Sequence, residues 1–152
     1  MSAGQARFAA LDTVSSTGFF AGRASRRDSA YHRGMGKIRM QRAYSAPDGG
    51  YRILVDRLWP RGIAKEDAEL DEWAKDVAPS PELRTWFNHR EHRFDEFREQ
   101  YIAELEDGPA TEEAERLLEL IKDQDDVVLV YATKDEEHNN AVVLLEFLDE
   151  NL

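Results

Sequence analysis

Cysteine is absent from all 152 residues. That removes disulfide scaffolds, thiolate metal sites and cysteine nucleophiles together, and it fits a cytoplasmic protein. Long hydrophobic runs are missing too: no stretch approaches the roughly 18–20 apolar residues of a membrane span. Basic residues are in deficit, 20 Lys and Arg against 31 acids, for a formal net charge of −11. A general nucleic-acid coat or a binder of anionic membranes needs the opposite balance. A small local cationic site is still compatible with it. Glycine-rich phosphate loops, G-x-G-x-x-G fingerprints and nucleophile elbows do not occur, so no nucleotide cofactor is expected. His89 and His92 stand three apart with Glu91 and Asp95 nearby. There is no H-E-x-x-H and no third ligand at a telling distance, so no metal or other cofactor is expected.

What is present suffices for one core. Apolar residues make up 41% of the chain and aromatics 10%, and the length suits one ordinary domain rather than two. Residues 1–36 stand apart. They carry five arginines against two aspartates, a net +3, which leaves −14 on the remainder. Rich in Ser, Ala, Gly and Arg, this stretch keeps neither a helical nor a strand period. It reads as a disordered tail, an upstream-start extension with Met35 as the natural first residue. Residues 37–152 read as the single folded domain.

Within that domain, Ile38, Met40 and Tyr44 sit at even spacing in a short strand-like segment. Pro47-Asp48-Gly49-Gly50 is a turn cluster. The run from Tyr51 to Trp59, rich in β-branched and aromatic residues, predicts a buried strand closed by Pro60 and Gly62. Four helical segments follow. Leu70, Trp73, Ala74 and Val77 share one face of a helix predicted over 66–77. Ser80 and Pro81 cap and start the next, which carries Leu83, Trp86 and Phe87. Phe94, Phe97, Tyr101, Ile102 and Leu105 stripe a third over 91–106. Thr111 is expected to cap a fourth, with Ala114, Leu117, Leu118 and Ile121 inward. The continuous apolar run Val127–Ala132 predicts a central strand covered on both faces, and a last helix spans about 139–151. This order indicates an α/β fold: a small layered domain with a short, mostly parallel sheet and several covering helices. Trp73, Trp86, Phe87, Phe94 and Phe97 are expected to cover one sheet face.

The chemistry concentrates where the two strongest strands end. The first runs into Asp56, Arg57, Trp59 and Arg61, the second into Lys134, Asp135, His138 and Asn139. In open α/β sheets, ligands bind beyond the carboxyl ends of parallel strands, so both clusters are expected around one cleft. Arg57, Arg61 and Lys134 are candidates to hold a small anionic metabolite, phosphate-bearing or nucleotide-like. Trp59, His138 and Asn139 are further ligand-binding candidates, and Asp56 and Asp135 are candidate acid–base groups. Each has a structural reading beside it. Asp56 and Arg57 can pair to hold the strand end, and Trp59 can be core. Asp135, Asn140, or Thr133 with Glu136 at capping-box spacing can start the last helix. On that account the domain is a non-catalytic interaction or regulatory module.

The run from Tyr51 to Gly62 resembles the signature strand of the YeaO-like proteins, a bacterial and archaeal family of unknown function (DUF488). Leu70-Asp71-Glu72-Trp73, Ala78-Pro79-Ser80 and the stretch Leu83, Arg84, Trp86, Phe87, Asn88 and His89 are similar to the helical segment that follows it. Leu129, Tyr131 and Ala132 with Lys134–Ala141 resemble its closing motif. The resemblance covers about residues 37–150, in order, and leaves out the tail before Met35. It implies a compact single-domain α/β protein and no established reaction. The residues that carry it include the charged sets at both strand ends.

Overall fold

A computed structural model of the chain describes residues 37–152; the expected tail at residues 1–36 and its proposed upstream start lie outside the described residues. The sheet is built around β4 (Val127–Tyr131), all five residues of which are buried. On one side it pairs with β1 (Ile38–Arg42), in the register Ile38 to Val127. On the other it pairs with β2 (Tyr51–Leu54), in the register Tyr51 to Val127. A two-residue edge strand, β3 (Glu72–Trp73), pairs with β2. The order is β1-β4-β2-β3 and every pairing is parallel. An apolar run without alternation is what a strand covered on both faces requires.

Side chains alternate across a strand, so the two faces can be read from the packing. Ile38, Ile53, Val55, Val127, Leu129 and Tyr131 belong to the main core. Four helices bury their apolar stripes against this face: α2 (Pro81–Phe87), α3 (Phe94–Asp107), α4 (Thr111–Lys122) and α5 (Asn140–Glu150). Leu54, Val128 and Val130 point the other way. They are covered by Ala43, Trp59, Ile63 and Leu70, from loops rather than long helices. A helix of one turn, α1 (Lys65–Ala68), lies by these loops, the Ala68 carbonyl accepting from the buried Arg52 guanidinium at 3.3 Å.

The link from β1 to β2 is unusually short. Parallel neighbours flanking a third strand normally need a crossover of about a dozen residues or more, yet residues 43–50 suffice here. Gly49 and Gly50 adopt φ of 101° and 84°, and a Cβ on Gly50 would stand 2.8 Å from both Asp126 and Val128 side-chain atoms. Only glycine accepts both the backbone and the approach. Arg39 anchors the same corner, its guanidinium on Asp126 at 2.8 and 3.0 Å.

Several expected boundaries move. The helix predicted over 66–77 does not form. Glu69, at φ 50°, ends α1 after Ala68. The chain then pairs with β2 through Asp71 N–H to the Arg52 carbonyl (2.9 Å) and Ala74 N–H to the Leu54 carbonyl (2.9 Å). Its four apolar residues therefore part: Leu70 joins the loop-covered face, Ala74 and Val77 the main core, and Trp73 stays 38% exposed. Trp73 is thus no part of the aromatic cover. Phe87 and Phe97 are buried in it and stacked at 4.3 Å, while Trp86 and Phe94 pack partly buried at its margin. The strand expected through Trp59 ends at Leu54, with one more ladder bond from Val55 N–H to Val130. Tyr44 lies beyond β1, exposed, its hydroxyl donating to the Arg61 carbonyl at 2.8 Å. Thr111 is the first residue of α4 rather than its cap; its hydroxyl accepts from Gly108 N–H and donates to the Glu104 carbonyl.

Candidate functional site

Parallel strands bring their carboxyl ends to one edge, and at this edge the chain divides. After β2 it turns onto the loop-covered face, where Trp59, Ile63 and Leu70 pack. After β4 it turns onto the helical face, where α5 buries Val143, Leu144 and Phe147. Such a divergence between adjacent strands leaves a crevice. Here it is a cleft of about 310 Å³, with walls from both strand ends, the 57–61 loop, Ala78-Pro79, α2 and the start of α5.

Asp56 holds the crevice together from below. Its carboxylate accepts from Ala132 N–H at 2.9 Å, across to the end of β4, and from the Asn140 amide at 3.2 Å, at the start of α5. The same Asn140 amide donates to the Val55 carbonyl, and the Trp73 indole N–H donates to the Asp56 carbonyl. Burial pushes the Asp56 carboxyl above its ordinary range; the Asn140 and Ala132 hydrogen bonds, then the nearby His89 and Arg84, pull in the opposite direction.

The cations are arranged differently. Arg57 donates to the Ala78 and Pro79 carbonyls at 3.3 and 3.4 Å. Arg61 and Arg84 are exposed on the rim. Among the described residues, Arg57, Arg61 and Arg84 form no ion pair. His89 also lines the cleft. It is placed there by two successive left-handed residues, Asn88 at φ 46° and His89 at φ 55°. Asn88 is the C-cap of α2, a position that asparagine tolerates. Tyr44, Leu58, Trp59, Pro60, Phe87 and Phe97 supply the apolar walls. Trp59 is fixed by its indole N–H on the Ile63 carbonyl (2.7 Å) and by an edge contact with Trp73 at 5.5 Å.

Of the residues singled out in the sequence, Asp56, Arg57, Trp59, Arg61 and Asn139 line this cleft. Asp56 and Arg57 do not pair with each other; each bonds elsewhere. Asn139 is the N-cap of α5, its side chain accepting from Val142 N–H at 2.9 Å. Neither Asp135 nor a Thr133–Glu136 box caps that helix. Asp135 instead closes its own turn, accepting from Glu137 and His138 N–H. Lys134, Asp135 and His138 stand outside the lining, because that turn carries them past the edge of the cleft. Arg84 and His89 are lining residues that the strand-end reading did not place, while Asn140, read there as a possible cap of the last helix, also lines the cleft. The first two lie on and just after a helix that covers the sheet, and only the adjacency of Asn88 and His89 hints at a turned-in loop.

The comparisons with known proteins agree on the family and name no activity. A family model described as the inactive DUF488-N3 subclade matches residues 37–152. An uncharacterised protein of Mycobacterium tuberculosis is 43% identical over 115 residues, covering 74% of this chain and 94% of its own length. The uncharacterised protein YeaO of Escherichia coli is 45% identical over 113 residues, 73% of this chain and 96% of its own length. No solved structure matches the chain. Among the described residues, no helix is long and apolar enough to cross a membrane. With both the matched span and the identity this high, the chain belongs to the YeaO-like DUF488 family.

Proposed function

We propose that this chain is a cytoplasmic protein that binds a small anionic metabolite, phosphate-bearing or nucleotide-like, in the cleft between β2 and β4. The observation that carries this reading is the set of arginines that form no ion pair among the described residues, Arg57, Arg61 and Arg84, gathered around one concavity of a protein whose net charge is −11. Cations concentrated in a cleft with low-dielectric walls focus a positive potential and draw an anion in. The start of α5 adds the positive end of its dipole, with Asn139 and Asn140 on the lining. Apolar walls including Trp59 and Phe87 suit a ligand with a flat or carbon-rich part beside its charge.

Binding fits better than transformation. Both Asp56 oxygens are engaged in joining β2, β4 and α5, so the residue serves as a latch more readily than as a proton carrier. Asp135 has one oxygen held in its own turn and lies outside the cleft lining. The description of the matching subclade as inactive points the same way. A second reading, an interaction module with structural charges, is favoured by Leu58 and Tyr44, 60% and 47% exposed beside the cleft.

Thermal denaturation with ADP, ribose 5-phosphate and inorganic phosphate tests the proposal. At least one should raise the melting temperature at millimolar concentration, by mass action on the folded state. Arg84→Ala, at an exposed side chain without an ion pair, should remove the rise and keep the fold; Lys134→Ala should leave it intact. Absence of any rise, or a full rise in Arg84→Ala, would favour the interaction module.

A further inference from the structure

Three ligand-type side chains converge next to the cleft but outside its lining. Glu91 begins the one-turn 3-10 helix Glu91–Arg93 before α3, and Asp135 and His138 lie in the turn between β4 and α5. His138 Nδ1 is 3.1 Å from Asp135 Oδ2 and 3.3 Å from Glu91 Oε2. One ligand atom from each residue lies within 4.8 Å of both others.

Groups that are not ligands set the orientation of two of the three. Asp135 Oδ1 accepts from the backbone N–H of Glu137 and His138, both at 3.0 Å, which holds the carboxylate with both oxygens facing the imidazole, Oδ1 at 3.2 Å and Oδ2 at 3.1 Å from Nδ1. The imidazole itself packs edge-on against the Phe94 ring, with centroids 5.2 Å apart at 84°. Outer contacts of this kind hold metal ligands in place in proteins.

We propose that Glu91, Asp135 and His138 form a binding site for a divalent transition-metal ion of the zinc or manganese class. One imidazole nitrogen and two carboxylate oxygens are a donor set that such ions accept. An ion about 2.1 Å from Nδ1 and from either oxygen would see that pair at roughly 95–105°, between octahedral and tetrahedral angles. Three protein ligands leave at least one coordination position for water or an incoming group. The competing arrangement is a plain ion pair, in which a proton rather than a metal lies between Nδ1 and the oxygens. Bound metal would tie the loop after β4 to the turn before α3. The site shares no lining residue with the anion cleft, so either can exist without the other.

The untagged full chain, freed of metal by chelation, is titrated with Zn²⁺ and with Mn²⁺ by calorimetry, alongside His138→Ala and Glu91→Gln. Nitrogen NMR of the histidine rings is followed in parallel. One ion per chain should bind with a dissociation constant below about 100 μM. His138→Ala should abolish that binding, Glu91→Gln should weaken it at least about tenfold, and the His138 Nδ1 resonance should shift on metal addition. Both variants should keep the wild-type melting temperature in the absence of metal. No 1:1 binding below that limit with either ion would overturn the site, and so would binding that survives His138→Ala.

Discussion

At the residue scale, Asp56 unites the strand ends at a cost. Its carboxyl sits above its ordinary range because burial disfavours the charge, and the partners that stabilise the charged form offset this only in part. A carboxyl raised in the folded state holds its proton there after the unfolded chain has lost it. The native state then binds more protons, and stability falls as pH rises through the window from the ordinary carboxylate range to the raised folded value. Asp56→Asn lacks this titration. The stability of the wild type relative to Asp56→Asn should therefore decline as pH rises above the ordinary carboxylate range, by urea denaturation at a series of pH values. A flat difference would mean that the carboxyl is not desolvated. Tyr101 is the neutral counterpart: fully buried in α3, its hydroxyl donates to the Val77 carbonyl and steadies the turn that presents Ala78 and Pro79 to Arg57.

At the element scale, helix starts do much to shape the cleft walls. Ser80 caps α2, accepting from Leu83 N–H at 3.2 Å and donating to Glu104 Oε2 at 2.6 Å, with Pro81 in the first turn. Glu104 thus couples the start of α2 to the body of α3. The α5 start is tighter still. Asn139 is 3% exposed; its amide donates to the Asp135 carbonyl at 2.8 Å while its oxygen takes Val142 N–H. Asn139→Ala loses both bonds and should cost about 1–2 kcal/mol, seen as a lower urea midpoint with an unchanged slope. A loss under about 0.5 kcal/mol would show that another group takes over the cap. The 66–77 segment carries the opposite lesson. Its apolar spacing satisfied a helix, but the edge of β2 offered backbone hydrogen bonds that a helix there would have left unmade.

At the scale of the whole molecule, the described residues close one main core between four helices and the sheet, and a smaller one under the loops. The family match spans the same residues. A chain beginning at Met35 is accordingly expected to unfold at the full chain's midpoint, compared by thermal and urea denaturation. A fall of more than a few degrees would give the first 34 residues a part in the core.

The sequence by itself determined what depends on a few neighbouring residues. β4 was legible because five buried residues in a row fit a strand covered on both faces, α2 because serine and proline mark a helix start, and the last three helices because their apolar residues recur at helical spacing. The charge at both strand ends was legible in the same way. Tertiary structure decided what depends on partners far along the chain. Asp56 meets Ala132 from 76 positions away, and only the strand order β1-β4-β2-β3 puts their ends side by side. The same pairing turned 72–73 into an edge strand, since periodicity over a dozen residues carries no information about which backbone waits alongside. Arg84 and His89 reached the cleft through the packing of α2 on the sheet and the left-handed turn at its end. Lys134, with no local sign to separate it from Arg57, was carried out of the cleft lining by the hydrogen-bonded turn at Asp135.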